Sequence, residues 1–197
     1  DEEIAIAQDS GIYDDAVKID DVSLRKATPE MLERWIAHRE KWAIPSTIED
    51  FALAPRALHP RLLKLGFSLH SYWVDHGLLG VMYKDGLELL PLLRAALQSE
   101  SWESALVAAQ PFGDVAFVPA IARAFGGKKN KSVARTWMLR HPRHAIAGAL
   151  DLAFAAAPSS KKDKDALDDD ARRMLRYLDG RGHRASILEL ASARGKD

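Results

Sequence analysis

Apolar positions along this chain repeat at an offset of 29 residues: Ala105 maps onto Ala134, Phe117 onto Ile146, Ile121 onto Leu150 and Phe125 onto Phe154. Each stretch reads as a helix, a short turn and a second helix. Such a hairpin cannot bury its apolar stripe alone and must stack on a neighbour to build a continuous core. The predicted fold is all-α, a solenoid of stacked antiparallel helix pairs.

Punctuation residues place the elements. Residues 1–27 read as an irregular acidic arm, with Asp14, Asp15, Asp20 and Asp21 around the apolar pairs Val17/Ile19 and Val22/Leu24. Thr28, Pro29 and Glu30 then supply an N-cap, a first-turn proline and a first-turn acid for a helix carrying Met31, Leu32, Trp35, Ile36 and Trp42. Pro45, Pro55 and Pro60 leave room for a short helix near Ile48 to Leu53. Pro60 starts a longer one with Leu62, Leu65, Leu69, Trp73 and His76 on its inner face. Between Leu78 and Leu90 two readings compete. Lys84-Asp85-Gly86 fits the turn of a β-hairpin, whereas the stripe Leu89, Leu92, Leu93, Ala96 and Leu97 fits a helix from Leu87 to Gln98, which is favoured. Beyond it, helices are expected over Trp102 to Ala109, from Asp114 as N-cap to Phe125, from Ser132 as N-cap to Arg140, and from Pro142 to Ala156. A third pair follows a polar linker at residues 161–165, with helices from Asp168 to Leu178 and from Ala185 to Ala193 around a Gly180-Arg181-Gly182 turn. Residues 28–197 form one helical-repeat domain in this reading, its clearest repeats at 102–127, 131–158 and 166–194.

Composition narrows the chemistry. Hydrophobic residues make up 47% and charged residues 28%, a globular balance. Lys+Arg 28 against Asp+Glu 28 leaves no net charge, so any contact with a polyanion must be local. With Cys 0, disulfides, thiolate metal sites and a cysteine nucleophile are excluded, which suits a cytoplasmic location. Residues 1–10 lack the basic and apolar regions of a secretory signal, and no stretch approaches the ~20 apolar residues of a membrane span. No cofactor is expected. Because the chain begins at Asp1 and not Met, it is expected to be part of a larger protein.

The segment from Val133 to Ala145, with Ala134 and Trp137, the turn Arg140-His141-Pro142 and the small Ala145, is followed by Ala171-Arg172-Arg173-Met174-Leu175 and Gly182-His183-Arg184. Together these resemble the helical arrays of large bacterial molybdate metabolism regulators, over about residues 111–195. The resemblance implies HEAT-like helix pairs winding into a right-handed superhelix, within a regulatory protein. Those proteins often carry a WGR module; no Trp-Gly-Arg triplet occurs here, so that module's function is not implied.

Candidate functional residues fall in three groups. Between Asp114 and Asp151 no acidic residue occurs, while Arg123, Lys128, Lys129, Lys131, Arg135, Arg140 and Arg143 do, predicting a positive ridge for phosphate. The plainer reading of that ridge is a solvated face or one paired with the acids of a neighbouring repeat. Gly126 to Ser132 lacks the spacing and preceding strand of a phosphate-binding loop, and Asp163, Asp165 and Asp168 lack the glycine and glutamate of a calcium loop. Ser68, His70, Ser71, Asp75 and His76 hold the residue types of a hydrolytic site without a nucleophile elbow. His141 is expected to cap the helix before it. The tryptophans lie on apolar stripes and are expected in the core, with Trp102 the candidate partner anchor if exposed. The leading functional expectation is a non-enzymatic interaction domain that docks a protein partner or other domains of its parent chain, without membrane contact. The alternatives are nucleic-acid binding through residues 123–143 and an enzyme site near His70/Asp75.

Overall fold

The computed structural model describes residues 27–68, 78–100, 102–154 and 161–195. Among these the chain is mostly helical and has no strand; one isolated parallel bridge joins Ser46 and Phe67. Contacts divide the chain into two compact units, with the boundary between Leu92 and Leu93.

In the first unit, helix α1 (Pro29–Lys41) starts as its sequence requires: the Thr28 hydroxyl accepts from the Met31 amide at 3.3 Å, and Pro29 occupies the first turn. Trp35 and Ile36 are buried. Trp42 departs from the expected core placement. It lies just past the helix end, 49% exposed, with the Lys41 ammonium 5.1 Å from its ring centre. Ala43, at φ 49, then reverses the chain. Helix α2 (Ile48–Leu53) opens with a capping box in which the Thr47 amide donates to Asp50 at 2.6 Å and the Asp50 amide to the Thr47 hydroxyl at 3.4 Å. The second carboxylate role of Asp50 is an ion pair with Arg39 of α1 at 2.8 Å, which ties the two helices together.

Helix α3 (His59–Lys64) is shorter than the run of leucines predicts. Gly66 takes a left-handed conformation at φ 76, ending the helix and turning Phe67 into the bridge with Ser46. Ser46 is fully buried: its amide donates to Gly66, its carbonyl accepts from Ser68 and its hydroxyl donates to Leu62 at 2.7 Å. Those bonds satisfy backbone groups that a continued helix would have used internally. Leu69, Trp73 and His76 lie outside the described residues. Arg61 binds Glu40 and Glu33 of α1, each at 2.6 Å, and its guanidinium holds the Glu40 carboxyl below its ordinary range.

The segment with two readings is helical throughout: α4 (Leu78–Asp85), a 3₁₀ turn (Gly86–Leu89) and α5 (Leu90–Gln98). Lys84-Asp85-Gly86 does not close a hairpin, because Leu78, Val81 and Met82 bury at helical spacing and α4 packs on α2. Leu92, Leu93, Ala96 and Leu97 are buried along α5.

The second unit contains the tandem copies. Helix α6 (Trp102–Ala109) leads through a 3₁₀ turn (Val115–Phe117) to α7 (Val118–Gly126). Asp114 caps that turn by accepting from the Ala116 amide at 2.9 Å, and it also pairs with Arg94 at 2.6 Å. Helices α8 (Lys131–Arg140) and α9 (Pro142–Ala153) form the second copy. The related positions Ala105/Ala134, Phe117/Ile146 and Ile121/Leu150 are all buried. The last pair parts company: Phe125 is 6% exposed and Phe154 52%. Phe125 is still inside α7, whereas Phe154 follows the end of α9 at φ −121 and has left the helical path.

Boundaries differ from expectation at α9, which ends at Ala153 and not Ala156, and at two further places. Ser132 lies inside α8, which is preceded by Asn130, so it does not cap the helix. Helix α10 (Lys161–Leu178) starts at the residues read as a polar linker, which places Asp163, Asp165 and Asp168 on one continuous helix. A wide turn (Asp179–His183), with Gly182 at φ 90, joins it to α11 (Arg184–Ser192). Helix α7 packs against α6, α8, α9 and α10, and α9 against α8, α10 and α11. The third pair thus covers the second helices of both copies.

Helices α7 and α9 meet at Gly148. A β-carbon there would come within 2.7 Å of Val118 Cβ. In a free helix Gly→Ala gains up to about 1 kcal/mol, but here the methyl group has no room. Gly148→Ala is expected to lower stability by about 1–3 kcal/mol in urea denaturation, with less loss when Val118 is also alanine. A stabilised Gly148→Ala protein would refute the close approach.

Candidate functional site

The cations of the basic ridge predicted from the sequence differ in what they reach. Helix α8 carries three of them, Lys131, Arg135 and Arg140, and its ten residues at a rise of ~1.5 Å set the first and last about 14 Å apart. At the far end the cations serve the fold. Arg140 donates to the Gln110 carbonyl at 3.3 Å, and Arg143 pairs with Glu189 of α11 at 2.9 Å. His141 does not cap its own helix through its ring. Its Nε2 donates to the same Gln110 carbonyl at 3.0 Å, while its backbone amide closes α8 on Trp137. Gly113 makes this crossing possible, because a β-carbon there would lie 2.9 Å from His141 Nδ1 and 2.8 Å from His144 Nδ1. The buried Trp137 indole beside it donates to the Phe112 carbonyl at 2.9 Å.

At the near end the cations lie over aromatic rings. The Lys131 ammonium is 5.3 Å from the centre of Phe125, and the Arg135 guanidinium 5.5 Å from the centre of Tyr177. Arg181, from the wide turn, reaches the same tyrosine at 5.2 Å. Phe125 and Tyr177 touch, with centroids 5.4 Å apart, so α7, α8 and α10 share one aromatic and cationic seam. Arg123 and Lys128 are exposed beside it, while Lys129 pairs with Glu103 at 3.2 Å. Each cation gains from the ring quadrupole without surrendering its charge.

Tyr177 and Arg181 were not among the sequence candidates. A signal existed: residues 171–188 hold Arg172, Arg173, Arg176, Arg181 and Arg184 against a single acid, Asp179. Nothing local indicated that this run folds against a helix more than forty residues earlier.

Asp170 underlies the seam. Its carboxylate fills the space where a β-carbon of Gly126 would sit. Burial raises its pKa, and Asp169 adds to the effect, outweighing the attraction of Arg173 and Lys131.

A second surface lies between α10 and α11. Leu175, Ile187 and Leu188 floor an open groove of about 260 Å³, with Arg176, Arg184 and Asp179 at its margins. Leu188 is 61% exposed. Trp102 is half-buried at the start of α6. His70, Ser71, Asp75 and His76 lie outside the described residues. Among the described residues no group of three or more His, Asp or Glu side chains is placed to hold a metal ion, and no helix is long and apolar enough to cross a membrane. No family model, curated protein or solved structure matches this chain.

The raised pKa of Asp170 has a pH signature. Between the ordinary carboxyl pKa and the raised one the folded state binds more protons than the unfolded state, so stability falls as pH rises through that window. Asp170→Asn removes the buried charge. It is expected to raise the urea midpoint at about pH 7 and to flatten its dependence on pH on the acid side; a lower midpoint at about pH 7 would contradict this account.

Proposed function

We propose that this chain is a non-enzymatic, HEAT-like helical interaction domain that docks a protein partner through the groove between α10 and α11. The observation that carries the reading is the groove itself. Its apolar floor of Leu175, Ile187 and Leu188 is open to solvent, and two arginines face one aspartate around it. Exposed apolar surface rimmed by charge marks contact sites, and a net positive margin favours an apolar segment flanked by acids. The tandem register supports the HEAT-like reading: equivalent positions of two hairpins are buried, and their second helices pack together. The likeness to molybdate metabolism regulators points the same way, towards a regulatory protein that uses its helical array for docking. Such arrays offer a rigid face on which side chains vary without disturbing the core.

A synthetic amphipathic peptide with leucines on one face and glutamates beside them tests the reading by isothermal titration calorimetry and by amide chemical shifts. Saturable binding with shifts centred on Leu175, Ile187 and Leu188 is expected. Leu188→Asp should weaken it by about tenfold or more, since a buried leucine contributes roughly 1.5–3 kcal/mol. A lysine-flanked peptide binding equally well, or shifts remote from the groove, would remove the support.

A further inference from the structure

We infer that the seam of Lys131, Arg135, Phe125, Tyr177 and Arg181 is a docking surface for single-stranded nucleic acid. It is a different surface from the groove, so neither reading stands or falls with the other.

Cations from two distant parts of the chain converge here: α8 supplies Lys131 and Arg135, and the wide turn after α10 supplies Arg181. Two guanidiniums lie against one tyrosine ring, at 5.5 and 5.2 Å. Held that way, each is oriented while its N–H groups remain available to fork onto phosphate oxygens. Arg135 and Arg181 are both exposed, and neither has a carboxylate partner among the described residues. Exposed Arg123 and Lys128 flank the same end of α8 and extend the positive surface.

The acids nearby are Asp169, Asp170 and Asp179. Asp170 is turned in towards Gly126 and Arg173, and Asp179 borders the groove, which leaves Asp169 exposed beside the seam. The seam therefore keeps a local positive excess on a chain whose total is zero. Planar guanidiniums stacked on an aromatic ring also offer flat faces to unstacked bases, and this favours a single strand over a duplex. The far-end arginines are not part of the surface, because Arg140 and Arg143 are engaged with Gln110 and Glu189.

The test is fluorescence anisotropy with a labelled single strand of about 20 nucleotides of mixed sequence, the matching duplex, and poly-glutamate as a polyanion without bases or phosphates. The single strand is expected to bind most tightly, with affinity falling as salt rises from about 50 to 200 mM. Arg135→Gln/Arg181→Gln should weaken binding by at least about tenfold and flatten the salt slope by about 1.4, two phosphate contacts at ~0.7 each. Arg140→Gln/Arg143→Gln should bind like the unaltered chain, and circular dichroism checks that both variants fold. No binding at about 50 mM salt overturns the inference. So does poly-glutamate or duplex binding as tight as the single strand, or an equal loss in the two double variants.

Discussion

The close approach of α7 and α9 governs the second unit. Two helix axes come near only where a side chain is missing, and Gly148 supplies that gap against Val118. The gap lets Phe117, Ile121, Ile146 and Leu150 bury almost completely, and it brings the ends of α7 and α9 under α10. Small residues repeat on the same faces. Ala105, Ala120, Ala124, Ala134, Ala145 and Ala149 are all at or near zero exposure, so the packing is built from short side chains around a few large ones such as Phe117 and Trp137.

Much of this was legible in the residues. Prolines, caps and apolar spacing act over a few positions, and α1, α2, α6 and α9 begin where those signals stand. What was not legible depended on contacts made at a distance. The leucines after Pro60 have helical spacing, yet Gly66 turns the backbone left-handed and Ser46 takes up the bonds that result. Lys161 to Asp165 looks like a linker by composition, yet it begins α10, which is anchored further on by Ala171, Met174 and Leu178. Trp42 misled because it is the first residue past the end of α1, where the helical stripe stops.

The surfaces show the same limit. A charge count along the chain found the cations of α8 but could not see which helix end each lies at. Nor could it see which carbonyl or carboxylate each reaches. Folding divides the set by partner: Arg140 and Arg143 go to a carbonyl and a glutamate, Lys131 and Arg135 to aromatic rings. The first pair holds helices together, and the second keeps its charge available outward.

The wide turn at Gly182 has one more consequence. Arg176 and Arg184 border the groove while Tyr177 and Arg181 belong to the seam, so residues close in sequence around the turn serve two separate surfaces. Charges on neighbouring residues of one hairpin are screened only in part at the ~8 Å Debye length of physiological salt. Negative charge seated on one side would repel negative charge approaching the other, and linkage would make that antagonism equal in both directions. On the proposed readings of the two surfaces the hairpin would act as an electrostatic selector between acidic visitors, with a bias that relaxes as ionic strength increases.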